Sequence, residues 1–200
     1  MNDKERQIKF LEVLEVMNSV VSDDILTWLV NQGFFVKPCS ISHHENYSGG
    51  LFDHSLAVTE NLLEMTEKLD IKWLRPESPY IVGMFHDLCK LDDYYDRSAK
   101  DIVLMGTGSP VSKNPKWDYN SNKMMNGHGD KSVMLLSQFI NLTEEEMLCI
   151  RFHMGAYNTD DWDFYDRAIR KYETVLWTHT ADMYASKVQD RFKIGSRCFL

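Results

Sequence analysis

Met84-Phe85-His86-Asp87-Leu88-Cys89-Lys90 closes an apolar run that begins at Tyr80. The run reads as a buried helix from Tyr80 to about Asp93, so His86 and Asp87 carry an imidazole and a carboxylate into an apolar setting. Burying a neutral polar group without a partner costs about 2–7 kcal/mol, and a charge costs more. Two explanations fit: a capped or salt-bridged helix end, or a metal site in which one cation satisfies both groups. Successive side chains on a regular helix point about 100° apart. His86 and Asp87 can therefore share a cation only if it sits between their directions; otherwise Asp87 bridges two cations. Lys90, four positions after His86, shares its helix face.

Outward from this stretch the chain is a succession of helical periods. Residues 3–21 read as an amphipathic helix whose turns are marked by Ile8, Leu11, Leu14 and Val21, with Val13, Met17 and Val20 widening its apolar face. Ser22-Asp23-Asp24 starts a second, short helix, and Gly33 is placed to close it. Phe34 to Gly50 reads as a loop containing Pro38, His43-His44 and Gly49-Gly50. From Asp53 the spacing of Ser55, Val58, Leu62, Met65 and Leu69 predicts a helix with His54 in its first turn.

Beyond the central stretch, residues 94–127 are irregular. Ile102–Met105 and Trp117–Tyr119 are strand-like, and Gly106, Gly108, Pro110 and Pro115 between them predict a small hairpin or lid. His128 stands at the entrance of a helix carrying Val133, Leu136 and Ile140. Thr143-Glu144-Glu145-Glu146 is a capping box that opens the helix ended by His153. A last long helix is predicted from about Asp166 to Phe192, with His179 and Asp182 on its inner side. The expected fold class is all-α, a single domain over residues 1–200, with N-terminal helices in 1–33 and a motif-bearing core in 34–190.

Composition sets outer bounds. The 200 residues are 44% hydrophobic and 26% charged, usual for a globular domain, and no stretch is long and apolar enough to span a bilayer. Met1-Asn2-Asp3-Lys4-Glu5-Arg6 leads into no signal-type apolar core, so a cytoplasmic protein with no membrane partner is expected. The net charge of −8 argues against a protein that grips a nucleic-acid backbone, yet leaves room for a small anion in a local pocket. Cysteines 39, 89, 149 and 198 form no Cys-x-x-Cys pair and read as free thiols.

The polar anomalies are His54, His86-Asp87, His128, His153 and Asp182, each at a helix flank or end. Four imidazoles and two carboxylates suit Mn, Fe, Co, Ni or Zn better than Ca or Mg. Their spacing alone leaves the structural reading open.

Their order, and the motifs around them, resemble the HD superfamily of metal-dependent phosphohydrolases. Gly49-Gly50-Leu51-Phe52-Asp53-His54-Ser55 is similar to a first-histidine "GGLxxHS" motif, and His86-Asp87-Leu88-Cys89-Lys90 to "HDxxK", with Cys89 where glycine is frequent. Gly127-His128-Gly129-Asp130-Lys131-Ser132, Arg151-Phe152-His153-Met154-Gly155 and His179-Thr180-Ala181-Asp182 are similar to "GHGxKS", "RxHMG" and "HxAD" elements of a bacterial and phage-associated branch.

The resemblance implies an HD-domain helical bundle with a central metal site formed by His54, His86, Asp87 and Asp182. It also implies a second ion on His128 and His153, with Asp87 bridging. Two cations about 3.5–4 Å apart would clamp a phosphate oxygen and activate a water for in-line attack on phosphorus. Lys90 and Lys131 are then expected to neutralise phosphate oxygens, and His44 to contact substrate or protonate the leaving group. Arg151, Arg97, Trp117, Tyr119 and Trp162 are candidates to hold a phosphate or stack on a base, and His179 to orient a ligand. The implied activity is hydrolysis of a phosphomonoester or phosphoanhydride of a nucleotide or another small phosphoester. Rival readings are an HD-fold di-iron oxygenase, which would need iron and consume O₂, a non-catalytic nucleotide-binding regulatory module, and a nuclease.

Overall fold

The computed structural model describes residues 1–42, 45–97, 116–123, 125–156 and 161–189. It is mostly helical, with one two-stranded sheet among the described residues. Helix α1 (Asp3–Met17) opens on a reciprocal capping box between Asn2 and Glu5. It buries Arg6, Phe10, Val13 and Met17. This face is rotated from the one expected: Ile8 and Leu11 stay half exposed at 52% and 48%. Phe10 packs edge-on against Phe34, Phe35 and Phe85, and Arg6 reaches Asp53 through two 2.9 Å bonds. Those partners fix the helix rotation more strongly than the smaller aliphatic stripe does.

Helix α2 (Ile25–Gln32) ends at Gly33 as expected. The 34–50 connection delivers Phe34 and Phe35 into the core and leads into α3 (Gly50–Leu69), which begins three residues earlier than predicted. Helix α3 is the spine. It packs most extensively on α4 (Ser78–Phe85) and next on α9 (Thr174–Tyr184). A Cβ on Gly83 would lie 2.6 Å from the Thr59 backbone, so the glycine is what lets α3 and α4 approach this closely.

The single helix predicted from Tyr80 to Asp93 is two, α4 and the short α5 (Lys90–Asp93), joined by a tight turn through His86–Cys89. Within that turn the bonds tighten from four residues to three: Leu88 donates to Phe85, Lys90 to Asp87 and Leu91 to Leu88. With three residues per turn, positions i and i+3 eclipse. Lys90 therefore stacks on Asp87 and not over His86.

Strand β1 (Tyr94–Asp96) pairs antiparallel with β2 (Trp117–Tyr119), so the strand expected at Trp117–Tyr119 is present and its partner in this hairpin is Tyr94–Asp96. The Ile102–Met105 run lies outside the described residues. Helix α6 (Gly129–Leu136) begins directly after His128, and α7 (Glu144–Arg151) carries the predicted capping box. The long final helix is interrupted. Helix α8 (Trp162–Lys171) stops at Tyr172, whose extended backbone breaks the run before α9, and a π-helical turn follows at Ala185–Gln189. Tyr172 and Lys171 both reach Glu144, which holds the break against the start of α7. No described helix is long and apolar enough to cross a membrane.

Candidate metal centre

Five separate segments carry the site. His54 comes from α3, His86 from the end of α4 and Asp87 from the tight turn after it. His128 is the N-cap of α6, His153 follows α7, and Asp182 lies on α9. Packing of α6 on α7 requires Gly129, where a Cβ would sit 2.2 Å from the Arg151 carbonyl oxygen. That approach brings the His128 and His153 rings to 4.9 Å, and His153 in turn lies 4.8 Å from His86.

The carboxylate of Asp87 divides the cluster. Its Oδ1 lies 3.0 Å from His128 Nε2 and 3.4 Å from His153 Nε2. Its Oδ2 lies 3.5 Å from His86 Nε2 and 3.7 Å from His54 Nε2. His54 Nε2 is also 3.1 Å from Asp182 Oδ1 and 3.2 Å from His86 Nε2. His54 and His86 thus gather at one oxygen of Asp87, with Asp182 behind them on His54, and His128 and His153 at the other.

The outer nitrogens explain why the inner ones are available. His86 Nδ1 donates to the Gly83 carbonyl at 2.8 Å, and His153 Nδ1 to the Ile150 carbonyl at 2.6 Å. A carbonyl can only accept, so both rings carry their proton on Nδ1 and present an Nε2 lone pair inward. Glu45 Oε2 stands 3.7 Å from His54 Nδ1, and Cys89 Sγ stands 3.1 Å from His128 Nδ1. His179 Nδ1 donates to the His153 carbonyl at 2.8 Å and so steadies the turn that carries His153.

Electrostatics set the same state for His86. Burial pushes the His86 imidazole down to about 3, so it is neutral at pH 7. Burial alone would raise the Asp87 carboxyl, but the Lys90 ammonium outweighs it and holds it well below the usual carboxylate range. Asp182 is lowered likewise, with burial outweighed by its bond to His54. Neutral imidazoles and ionised carboxylates are the forms that bind metals.

Asp87 Oδ1, His128 Nε2 and His153 Nε2 are buried atoms with no hydrogen bond among the described residues. Such orphaned groups cost free energy unless something else satisfies them. Four overlapping donor sets, namely Cys39–His54–Asp87, His54–His86–Asp182, His86–Asp87–His153 and Asp87–Cys89–His128, each place their ligand atoms within 4.8 Å of one another. These buried clusters could hold a metal ion.

No family model, curated protein or solved structure gives a significant match to this chain. The site is therefore read from its own geometry.

The remaining residues singled out in the sequence fall in different places. Lys90 is buried, with Nζ 2.6 Å from Asp87 Oδ2 and 3.1 Å from Cys39 Sγ. Burial works against its charge, but Asp87 outweighs burial and raises its pKa. Lys131 is also buried. Its ammonium meets Asp92 at 2.9 Å and Asp93 at 3.6 Å. Arg151 stacks on Phe152 and bonds Asp130 at 2.7 Å, on the wall of a cleft of about 490 Å³ that opens beside His128. Arg97 pairs with Asp118, Trp117 in β2 is buried with Ile41 and Tyr94, and Trp162 is exposed. His44 lies outside the described residues, as does Cys198.

Sequence reasoning passed over three residues of the site. Cys39, Cys89 and Glu45 sit against Asp87, His128 and His54 of the cluster, and Glu45 does so from a left-handed backbone with φ 43°. Their spacing follows no metal motif. The one available signal was Cys89 standing inside the His-Asp stretch at a position where glycine is frequent.

Proposed function

We propose that this protein is a metal-dependent phosphohydrolase of the HD type, acting on a phosphomonoester or phosphoanhydride of a nucleotide or another small phosphoester. The observation that carries the reading is the division of Asp87, one oxygen toward His54 and His86 and the other toward His128 and His153, with Asp182 on the far side of His54. Two transition-metal ions such as Mn, Fe, Co, Ni or Zn would be held there, one by His54, His86 and Asp182 and one by His128 and His153, with Asp87 facing both groups. Bound there, such ions would supply a lowered pKa for a water and positive charge for phosphoryl oxygens.

The chain's own residues prepare the site for this. Gly83 and Ile150 carbonyls hold two imidazoles with their lone pairs inward. Lys90 keeps Asp87 ionised and fixes the direction of its Oδ2. The cleft beside His128, with Arg151 on its wall, is the approach open to a small phosphoester. His128 is the imidazole at its edge, its side chain 33% accessible where His54, His86 and His153 are fully buried.

The test is phosphate release from nucleoside mono-, di- and triphosphates and from p-nitrophenyl phosphate, by protein loaded with each of these metals in turn. Hydrolysis that falls by about 100-fold or more in Asp87→Ala is expected. Iron-loaded protein that consumes O₂ and releases no phosphate would overturn the reading in favour of an oxygenase. Nucleotide binding without turnover under any metal would make it a regulatory module.

A further inference from the structure

Each of the four imidazoles has a partner at its outer nitrogen, and one of these partners differs from the rest. His86 and His153 face backbone carbonyls, and His54 faces the Glu45 carboxylate. His128 Nδ1 faces the thiol of Cys89 at 3.1 Å. The thiol is fixed where it stands. Cys89 is fully buried, its backbone N–H donates to Ser132 Oγ at 3.0 Å, and Ser132 in turn donates to the His128 carbonyl through its hydroxyl and its N–H. One small network therefore ties the His-Asp turn to the start of α6.

Two tautomers of His128 are open. If the Cys89 S–H donated to Nδ1, the Nε2 proton would face Asp87 Oδ1. Those two atoms lie 3.0 Å apart. A metal held on Nε2 requires the other tautomer: Nε2 keeps its lone pair, and the proton sits on Nδ1, where it faces the Cys89 sulfur at 3.1 Å. Sulfur is a weak acceptor, weaker than a carbonyl or carboxylate oxygen. The same ring is also the accessible one.

We propose that Cys89 is a positioning residue: it orients His128 through Nδ1, and metal affinity at the His128–His153 half of the centre depends on it while affinity at the His54–His86–Asp182 half does not. The inference rests on the two-metal reading above. It also makes the two halves unequal, the His128 half binding more weakly.

Cobalt(II) titration of metal-free protein, followed by calorimetry and by the visible spectrum, tests this. Wild type takes up two ions in two steps. Cys89→Ala weakens the second step by about 10–100-fold, the usual loss when a ligand histidine loses its outer partner, and leaves the first in place. Cys89→Ser, which keeps a group able to accept from Nδ1, restores most of the loss. Equal melting temperatures of the three metal-free proteins separate this from a packing defect. Two steps unchanged in Cys89→Ala, or both steps weakened alike, would overturn the inference and leave the metal centre standing. A thiolate-to-cobalt charge-transfer band present in wild type and lost in Cys89→Ser would also overturn it, making Cys89 a direct ligand. Wild-type protein that takes up one ion or none would sink the two-metal reading and this inference with it.

Discussion

The two ends of α7 each carry a knot of buried polar side chains, and the knots are built on opposite plans. At the N-terminal end, Glu146 is fully buried and every direction of its carboxylate is used. Oε1 accepts from Arg75 Nε and Ser78 Oγ, each at 2.8 Å, and Oε2 accepts from a second Arg75 nitrogen at 2.7 Å and from the Thr143 N–H at 2.9 Å. Its neighbour Glu145 accepts from Leu74 N–H and Thr174 Oγ1. At the C-terminal end, His153 joins Asp87 and His128 in a group whose inner atoms approach within 3.4 Å or less without hydrogen-bonding. A saturated buried carboxylate holds helices together. A buried carboxylate with one oxygen on Lys90 and the other facing two imidazoles suits a cation on that second side.

The largest effect tests the saturated knot. Glu146→Ala strips four hydrogen bonds and leaves Arg75 partly buried without its carboxylate. A loss of about 3–5 kcal/mol is expected. For a chain of this size that is a fall in Tm of about 6–20 °C. Chelator and added metal should leave that difference unchanged. A Tm within about 2 °C of wild type would show that the knot is not the fastening it looks like.

The second knot should respond to metal. An ion at 100 times its Kd stabilises the folded state by about 2.7 kcal/mol, or about 5–10 °C in Tm. Glu146→Gln should keep this gain, and Asp87→Asn should abolish it. His128→Ala should take metal content from about two ions per chain to about one, because it removes a donor from one side of Asp87 only. Equal metal content in His128→Ala and wild type would mean that the division of Asp87 is not a division between two ions.

The contrast also shows what could be read without coordinates. His86, Asp87 and Asp182 stand out in sequence because each interrupts an apolar run or inner face, which is visible to pattern alone; His54 lies on the flank of its helix and stands out only through the Gly-Gly-Leu motif before it. His128 and His153 are visible because each sits at a helix end. The outer partners are not. Glu45 is a carboxylate in a Ser- and His-rich loop, and Cys39 and Cys89 are thiols with no motif spacing, so only packing brings them to the site. The break at Tyr172 has no proline or glycine to announce it; it depends on Glu144, 28 residues earlier in the chain. The tightened turn after His86 is equally silent, and that turn decides that Lys90 meets Asp87. The rotation of α1 follows from Arg6 reaching Asp53, a pairing of charges 47 residues apart.

The smallest effect concerns Lys131, whose place in a histidine motif suggested phosphate. Its ammonium lies between Asp92 and Asp93, and Asp93 also takes Lys123 while Asp92 takes Asn120. That arrangement belongs with the saturated knot at the start of α7: the charge is already answered by protein, and it fastens α6 to the base of the hairpin. Lys131→Met keeps the length and the apolar stem and removes the charge-assisted bond, a loss of about 1.5 kcal/mol. Asp93 keeps Lys123, so the carboxylates are not both stranded. If Lys131 fastens and does not bind substrate, Lys131→Met should lower Tm by about 3–6 °C while metal content, KM and kcat for any phosphoester that wild type hydrolyses stay unchanged. A rise in KM with no change in Tm would return Lys131 to the phosphate, and would mean that Asp92 and Asp93 release it when substrate binds.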